Sequence, residues 1–322
     1  AEMGLWPCEE RMTLTSLAGG VSCVVYRGET EGRAPLVVKR AWPKLRVDVG
    51  WRASPSRSQA EVDWIRLVSR INPHWVPKIL GVNTKRHLFA MESLPPERYP
   101  IWKFELAAGR IDVDFAASVG IALAHIHAAT AGSAGVAQSF ANDAQFHALR
   151  VDPYLLFTAE RHPDLAHTIR DAAHGIARSR IALMQGDISP KNILVGPHGP
   201  VFLDAETACY GDPAFDLAFC LNHFLLKSVW HPEWRDLYAA CYFGLSRSYT
   251  SGVTWEGATG LNLRTARLLP ILFLARVDGK SPVEYLTSEA DKAFVRNAAR
   301  ALIEHPPQSL DELARRYFAG SR

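Results

Sequence analysis

The residues best suited to chemistry stand in one stretch of the chain, residues 184–227. Within it, two apolar runs, residues 193–195 (ILV) and 201–203 (VFL), flank residues 196–200 (GPHGP). Apolar runs on both sides of a short segment rich in glycine and proline predict a β-hairpin. We expect the two strands to pair symmetrically about His198, which makes residue 193 the partner of residue 203.

Three oxygen-bearing side chains converge at the open end of this hairpin. Extending the predicted pairing by one step sets Asn192 opposite Asp204, with side chains roughly 5 Å apart. Asp187 lies five residues before Asn192, in a loop that contains Gly186 and Pro190. Two carboxylates and an amide oxygen are hard ligands suited to Mg²⁺, with one carboxylate to spare. Each residue alone is typical of an ordinary turn, but the combined spacing indicates a catalytic site.

The same stretch resembles aminoglycoside phosphotransferases and related small-molecule kinases, including choline, homoserine and methylthioribose kinases. The resemblance rests on three motifs in order, QGDxxxxN at residues 185–192, LDAE at residues 203–206 and GDPxxDLA at residues 211–218. It implies an α+β, two-lobed protein-kinase-like fold. In that fold a small antiparallel β-sheet lobe with one helix precedes a larger, mainly α-helical lobe.

The implied activity is transfer of the γ-phosphoryl group of ATP to a hydroxyl of a small molecule. Asp187 would be the catalytic base, and Asn192 and Asp204 would hold Mg²⁺. Gln185 stands where the family usually has histidine. This departure, with a glycine loop of only two glycines, leaves a nucleotide-binding regulator or pseudokinase with little transfer activity as the alternative. Protein phosphorylation is less favoured because no DFG, HRD or APE element is present.

The resemblance also implies a set of nucleotide-binding residues upstream, which are Gly19, Gly20, Ser22, Lys39, Glu61, Glu92 and Leu94. The first three belong to a loop whose backbone N–H groups can approach phosphates. Lys39 ends the run LVVK, and we expect it to form an ion pair with Glu61 on the following helix. The last two lie at the junction of the lobes, where backbone groups would bind the adenine.

Further polar residues carry separate expectations. Asp212 with the proline after it predicts a helix start, and Asp216 by resemblance accepts hydrogen bonds from the catalytic-loop backbone. Glu206 lies either beside the metal or on the surface, and the sequence favours neither. We expect Lys191 to be solvated. Residues 276–282 (RVDGKSP) are read as a turn that ends a helix, with a contribution to acceptor binding as the alternative.

The elements that must position these residues can be read from local patterns. Strands are expected in residues 14–26, with an interruption by glycine, in residues 36–39 and in residues 88–91. Helical spacing of apolar residues indicates helices over residues 58–71 and 115–129. The change from mixed strands to repeated helical patterns places a boundary near residue 95.

The charge distribution matches that division. We predict a nucleotide-binding lobe over residues 1–95 and a catalytic and acceptor-binding lobe over residues 96–322. The first contains 14 basic and 9 acidic side chains, and the second 22 and 24. A slightly acidic acceptor lobe is compatible with aminoglycosides without selecting for them, so sugars, amino alcohols and nucleosides stay open.

Composition excludes several classes of function. A net charge of +3 over 322 residues gives no basic field that favours nucleic acid as a partner. Five scattered cysteines without a CxxC pair favour a reducing, cytoplasmic setting over a disulfide framework. The apolar runs fall short of the roughly 20 residues that cross a bilayer, so no membrane is expected. No HExxH, GxSxG or GxGxxG motif is present, and the sequence does not indicate an oligomeric state.

Overall fold

A computed structural model describes residues 3, 5, 12–17, 23–42 and 54–320. Antiparallel strands dominate its first part, and helices dominate from residue 102 onward. The predicted α+β class is therefore confirmed. The predicted boundary between lobes falls in residues 93–101, between the last strand of the main sheet and the first helix of the helical part.

The main sheet has five antiparallel strands in the order β1-β2-β3-β5-β4. The strands are β1 (Thr13–Leu17), β2 (Cys23–Glu29), β3 (Leu36–Ala41), β4 (Ile79–Asn83) and β5 (Leu88–Glu92). β3 is central and rich in β-branched residues, and Lys39 on it is paired with Val25 on β2 and Phe89 on β5. β-branched residues fit a pleated, half-buried surface. This placement fixes the lysine in the middle of the sheet.

Helix α1 (Arg57–Ile71) connects β3 to β4 and covers the sheet. Its apolar face includes Trp64 and Val68, both 0% exposed. The helix ends where Asn72 is extended and Pro73 follows, because the residue before proline disfavours the helical region. The predicted helix over residues 58–71 is confirmed, with one more residue at its start.

The helical part begins with α2 and ends near the last residues of the chain. Its helices are α2 (Trp102–Ala107), α3 (Val113–Thr130), α4 (Ala134–Ser139), α5 (Asp143–Phe146), α6 (Phe157–Arg161), α7 (Ala166–Arg178), α8 (Ala214–Trp230), α9 (Arg235–Ser251), α10 (Ala258–Asp278), α11 (Glu289–Glu304) and α12 (Leu310–Ala319). A π-helical segment, His147–Leu156, joins α5 to α6.

Helices α3 and α8 form the centre of this part. α3 packs along α9, and α8 packs between α9 and α10. Every residue of α8 from Ala214 to Val229 is buried. A helix that is buried on every side is typical of the core of a large helical layer. By length and composition α3 could also cross a membrane, but ten of its residues are buried inside the protein, as in the core helices of many soluble proteins.

Two short antiparallel ribbons pack against the helical part. β6 (Ala182–Met184) pairs with β9 (Cys209–Gly211), and β7 (Ile193–Gly196) pairs with β8 (Gly199–Phe202). β6 and β8 lie along α3, and β7 lies along α2. The loops that leave these ribbons carry all three motifs of the sequence. The ribbons therefore fix where the candidate catalytic residues lie.

The register of the predicted hairpin differs by one residue from the expectation. Ile193 pairs with Phe202, so the predicted pairing of Ile193 with Leu203 is wrong. The turn consists of residues 197–198 alone, because Gly199 has a φ of 107°, a conformation that glycine adopts without strain. A two-residue turn moves each pair by one position on the second strand.

Candidate active site

The loop that follows β6 holds Asp187 in a buried position. Gly186 has a φ of 81°, and a Cβ at this position would lie 2.7 Å from Thr207 Oγ1 and 2.8 Å from Thr207 O. Only glycine fits such a conformation and so close an approach. Asp187 is consequently directed inward and is 3% exposed.

Asp216, on the first turn of α8, holds this loop through two hydrogen bonds. Its Oδ2 accepts a hydrogen bond from Gln185 N at 2.7 Å, and its Oδ1 accepts one from Gly186 N at 2.8 Å. The predicted role of Asp216 is confirmed. The expected helix start is present but lies one residue later than an Asp212 N-cap would set it, because Pro213 is the N-cap and the helix begins at Ala214. Asp212 Oδ1 accepts from Ala214 N at 3.0 Å.

Replacing Asp216 by asparagine should destabilise the fold. The carboxylate accepts two backbone N–H groups with two oxygens, whereas an amide presents an NH₂ group to one of them. A buried donor without an acceptor costs about 1–3 kcal/mol. We expect the free energy of unfolding, measured by urea denaturation, to fall by that amount. Asp171→Asn, at an exposed carboxylate on α7, is the control. Equal stability of the two variants would contradict the structural role of Asp216.

Gln185 connects the catalytic loop to the chain before Asp204. Its Oε1 accepts from Asp187 N at 2.6 Å, and its Nε2 donates to Leu203 O at 2.7 Å. Both ends of the side-chain amide are therefore used. Glutamine at the position of the family histidine orders this loop through two hydrogen bonds.

The two carboxylate oxygens of Asp187 have different surroundings. Oδ2 accepts from Asn192 Nδ2 at 2.8 Å and lies 3.0 Å from Arg150 Nη2 and 3.2 Å from Lys191 Nζ. Oδ1 is buried and has no hydrogen-bond partner among the described residues. Lys191 is exposed, as expected, and its side chain also forms an ion pair with Asp187 that the sequence did not predict. The negative charge of Asp187 raises the pKa of Lys191.

Arg150 was not found by sequence reasoning. It lies in the π-helical segment, is 7% exposed, and donates to Gly186 O at 2.5 Å and Leu149 O at 2.6 Å. No motif surrounds it in the sequence. π-helical segments occur often at functional sites, but their irregular spacing gives no periodic signal from which Arg150 could be selected.

Asn192 and Asp204 are brought to the same place by the ribbon. Leu203 N donates to Asn192 O at 2.8 Å, and Asp204 follows directly with a φ of 62°. Asn192 uses its amide nitrogen to bond Asp187, which leaves the amide oxygen for a ligand. Carboxylate and amide oxygens form a donor set that fits Mg²⁺. Asn192 and Asp204 are therefore the residues that could hold a divalent cation.

Lys39 connects the main sheet to this site. Its Nζ lies 2.8 Å from Glu61 Oε2 and also contacts Asp204 Oδ1, so the predicted ion pair with Glu61 is confirmed. Burial lowers the pKa of Lys39, but Asp204 and Glu61 together hold it well above its ordinary value. Burial also raises the pKa of Asp204, yet Lys39 and then Lys191 outweigh it and lower that pKa to about 2. Asp204 is therefore a carboxylate at any working pH.

Glu206 makes a second link between the sheet layer and the site. It is 6% exposed, which excludes the surface position, and Arg57 Nε donates to its Oε2 at 2.9 Å. Arg57, the first residue of α1, also donates to Trp42 O at 2.7 Å and Ser54 O at 3.0 Å. Sequence reasoning missed Arg57, because its partner lies 149 residues away. The pair ties the start of α1 to the loop after Asp204.

Replacing one member of this buried ion pair should destabilise the fold more than replacing both members. Arg57→Met leaves Glu206 as a buried, unpaired carboxylate, and a loss of about 3–5 kcal/mol in unfolding free energy is expected. Adding Glu206→Gln to the same chain should restore part of the loss. Arg247→Met, which breaks a pair with Asp311 whose side chains are 67% and 50% exposed, is the control. Additive losses in the double variant would show that the two residues are not coupled.

The remaining nucleotide-binding predictions stay predictions. Gly19, Gly20 and Ser22 lie outside the described residues. Glu92 ends β5, and its Oε1 accepts from Lys78 N at 2.7 Å, so its carboxylate is used within the sheet. Leu94 is half-buried and lies just after the strand. Among the described residues, no hydrogen bond or ion pair joins either of them to Asp187.

The comparisons with known proteins agree with this geometry. The model of the phosphotransferase enzyme family (APH) matches residues 13–251, about three quarters of the chain. The chain therefore belongs to the phosphotransferase enzyme family, and it is a small-molecule kinase. A search among curated protein sequences finds no match.

Solved structures share the fold at low sequence identity. A choline/ethanolamine kinase family protein from Mesorhizobium loti is 15% identical with a TM-score of 0.53, covering 99% of this chain and 97% of that one. Plasmodium vivax ethanolamine kinase is 12% identical with a TM-score of 0.56, covering 91% and 83%. Amicoumacin kinase hAmiN, in complex with AMP-PNP, Ca²⁺ and Ami, is 13% identical with a TM-score of 0.56, covering 95% and 92%.

Proposed function

We propose that the protein transfers the γ-phosphoryl group of ATP to a hydroxyl group of a small molecule, with Asp187 as the base. The observation that carries this proposal is the asymmetry of the Asp187 carboxylate. Three side chains hold Oδ2, whereas Oδ1 is buried and has no partner among the described residues. A fixed carboxylate with one free oxygen is suited to receive a proton.

The reaction can be written with Asp187 Oδ1 facing the acceptor hydroxyl. The hydroxyl oxygen forms a bond to the γ-phosphorus while the bond from that phosphorus to the β,γ-bridging oxygen breaks. ADP leaves with the electron pair, and the hydroxyl proton passes to Oδ1. Because the transition state asks for little covalent help, catalysis comes mainly from alignment and from neutralising charge on the phosphate oxygens.

The residues around Asp204 support binding of the nucleotide and a metal. Lys39, held by Glu61 and Asp204, would contact the phosphates from the central strand of the sheet. Asn192 and Asp204 would hold Mg²⁺, which when bound neutralises phosphate charge. The structural neighbour hAmiN is described in complex with an ATP analogue and Ca²⁺, which supports ATP and a divalent cation as cofactors here.

The test is ADP release from the purified protein with Mg²⁺ and a panel of hydroxylated acceptors, with the phosphorylated product identified by mass. We expect ATP-dependent phosphoester formation with at least one acceptor. Tight ATP binding, seen as a thermal shift, without turnover on any acceptor would favour the nucleotide-binding regulator instead. Release of ADP without a phosphoester product would overturn transfer to an alcohol.

A further inference from the structure

Cationic side chains from several elements of the helical part surround the acceptor side of Asp187. Arg150 and Lys191 both contact its Oδ2, at 3.0 Å and 3.2 Å. Arg150 is buried, whereas the Lys191 side chain is 51% exposed. Two cations on one carboxylate exceed what charge balance at Asp187 alone requires.

The cationic region continues from Arg150 through Tyr154 to helix α10. The Arg150 guanidinium lies 5.8 Å from the centroid of the Tyr154 ring, and Arg276 Nη1 donates to Tyr154 Oη at 3.1 Å. Arg276 is 8% exposed, also donates to Ser281 O, and forms no ion pair among the described residues, although its charge acts on Glu284. Burial raises the pKa of Tyr154, but the charges of Arg276 and Arg150 outweigh it and lower that pKa. Two guanidinium groups therefore lie beside Tyr154, one of them hydrogen-bonded to its hydroxyl.

Lys227 on α8 is a second buried cation that forms no ion pair within the described residues. It is 1% exposed, and its Nζ has no hydrogen-bond partner among the described residues. The ammonium lies 5.1 Å from the ring centroids of both Trp230 and Tyr285. Burial, and next the charge of Lys103, lower the pKa of Lys227 to about 8, against the opposite effect of Glu284.

His223 lies one turn before Lys227 on the same helix and faces the same charges. Its Nε2 is buried and unpartnered within the described part of the chain. Burial, followed by the charges of Arg276 and Lys227, holds the pKa of His223 well below its ordinary value. The imidazole is therefore neutral, and its free ring nitrogen is available for a hydrogen bond to a ligand.

Two cations of this region form no ion pair among the described residues. Arg150 and Lys191 face Asp187 and Asp204, with Glu206 also near Arg150, and Lys103 pairs with Glu284. Arg276 and Lys227 are left with only the more distant charge of Glu284. An uncompensated ammonium or guanidinium is costly to bury. The cost is offset when a ligand supplies the negative charge. A polycationic acceptor would meet like charges at this place.

We infer that the acceptor is an anionic alcohol, a small hydroxylated molecule with a carboxylate or phosphate group that binds between Lys227 and Arg276. The inference rests on the proposed phosphoryl transfer, because it places the hydroxyl of the same molecule at Asp187. Arg276 can bind a planar carboxylate or a phosphate through two N–H groups. His223 and Tyr154 add neutral hydrogen-bonding groups beside them.

The experiment compares acceptors of similar size and skeleton that differ mainly in charge. ADP release is measured with glucuronate, glucose and glucosamine, and with glycerate, glycerol and 3-aminopropane-1,2-diol. Glucose 6-phosphate and glycerol 3-phosphate form the phosphate arm. We expect kcat/KM for the anionic members to exceed that for the neutral and cationic ones by about tenfold or more, since a hydrogen bond to a charged group is worth that much. Preference for the carboxylates or for the phosphates identifies the anion.

Binding is measured separately from turnover, as the thermal shift that each compound causes in the presence of AMP-PNP. Anionic members should stabilise the protein, and Lys227→Met and Arg276→Gln should each abolish that shift, whereas Lys85→Met on the exposed turn between β4 and β5 should keep it. Circular dichroism checks the fold of each variant. If one of the two variants does not fold, the other still tests the inference.

The outcomes separate the two proposals. ATP-dependent transfer confined to neutral or cationic acceptors would overturn the anionic acceptor and leave phosphoryl transfer standing. Stabilisation by anions that depends on Lys227 or Arg276, without any transfer, would support the anion site and count against transfer. If no anionic member is phosphorylated and none stabilises the protein, the inference is overturned.

Discussion

Replacement of Asp187 by asparagine is expected to lower kcat for phosphoryl transfer by about 10³-fold, within the usual range for a general base. Asparagine keeps the shape of the side chain and presents an amide to the acceptor hydroxyl, but this amide cannot take up the proton. Binding of ATP should change little, because the predicted contacts of the nucleotide are made through Lys39 and the sheet. The measurement is single-turnover formation of ADP together with the dissociation constant of AMP-PNP.

Stability needs its own check in this variant. Asp187 is the counter-ion of buried Arg150 and of Lys191, so its neutralisation also removes support for two cations. Asp171→Asn, at a carboxylate that is 65% exposed and pairs with His167, is the matched control and should keep full activity. If Asp187→Asn is folded and transfers phosphate at the wild-type rate, Asp187 is not the base.

The sequence was sufficient for features that depend on local spacing. Helix α1 follows from apolar periodicity and a terminal proline. Lys39 and Glu61 meet because β3 and α1 are neighbours in the chain, 22 residues apart. The loop motif around Asp187 and the helix start that bears Asp216 have fixed internal spacing, so their hydrogen bonds could be expected from resemblance.

Features that depend on long-range packing could not be predicted. Glu206 is buried where Arg57, 149 residues away in the chain, donates to it. No local pattern near either residue indicates its partner. Lys227 reads as the polar end of an apolar helix, yet it is enclosed by Trp230 and Tyr285. The hairpin register failed for a different reason, since one backbone angle at Gly199 decides the length of the turn.

The proposed acceptor site shows that the net charge of a lobe does not predict the charge of its ligand. The helical part carries a small net negative charge, which by itself suits cationic acceptors. Its acidic residues, however, are largely paired at the periphery, as Asp164 is with Arg300 and Asp311 with Arg247. The basic residues Arg276 and Lys227 are buried and form no ion pair within the part of the chain that the structure describes. Where a charge lies decides which ligand it favours, and a sum over the lobe does not show this.

Asp204→Asn should produce the second large loss of activity, about 10²–10³-fold in kcat/KM, the range typical of losing one preorganised electrostatic group. Asparagine is chosen because Asp204 has a φ of 62°, and asparagine tolerates this left-handed conformation better than most residues. The backbone is thereby preserved while the charge is lost. Lys39 keeps Glu61 as its partner, so the loss reports the missing carboxylate.

The pKa of Asp204 adds a pH criterion to this prediction. Because the folded-state pKa is lowered to about 2, the carboxylate stays ionised above that value, and any stabilisation it gives is lost only as the pH falls toward 2. Wild-type activity between pH 5 and 9 should therefore show no step from Asp204, and the variant should be impaired equally across that range. The concentration of Mg²⁺ that gives half-maximal turnover should rise about 10- to 100-fold. Asp311→Asn, at a half-exposed carboxylate on α12, is the control. An unchanged Mg²⁺ requirement in Asp204→Asn would exclude Asp204 as a metal ligand.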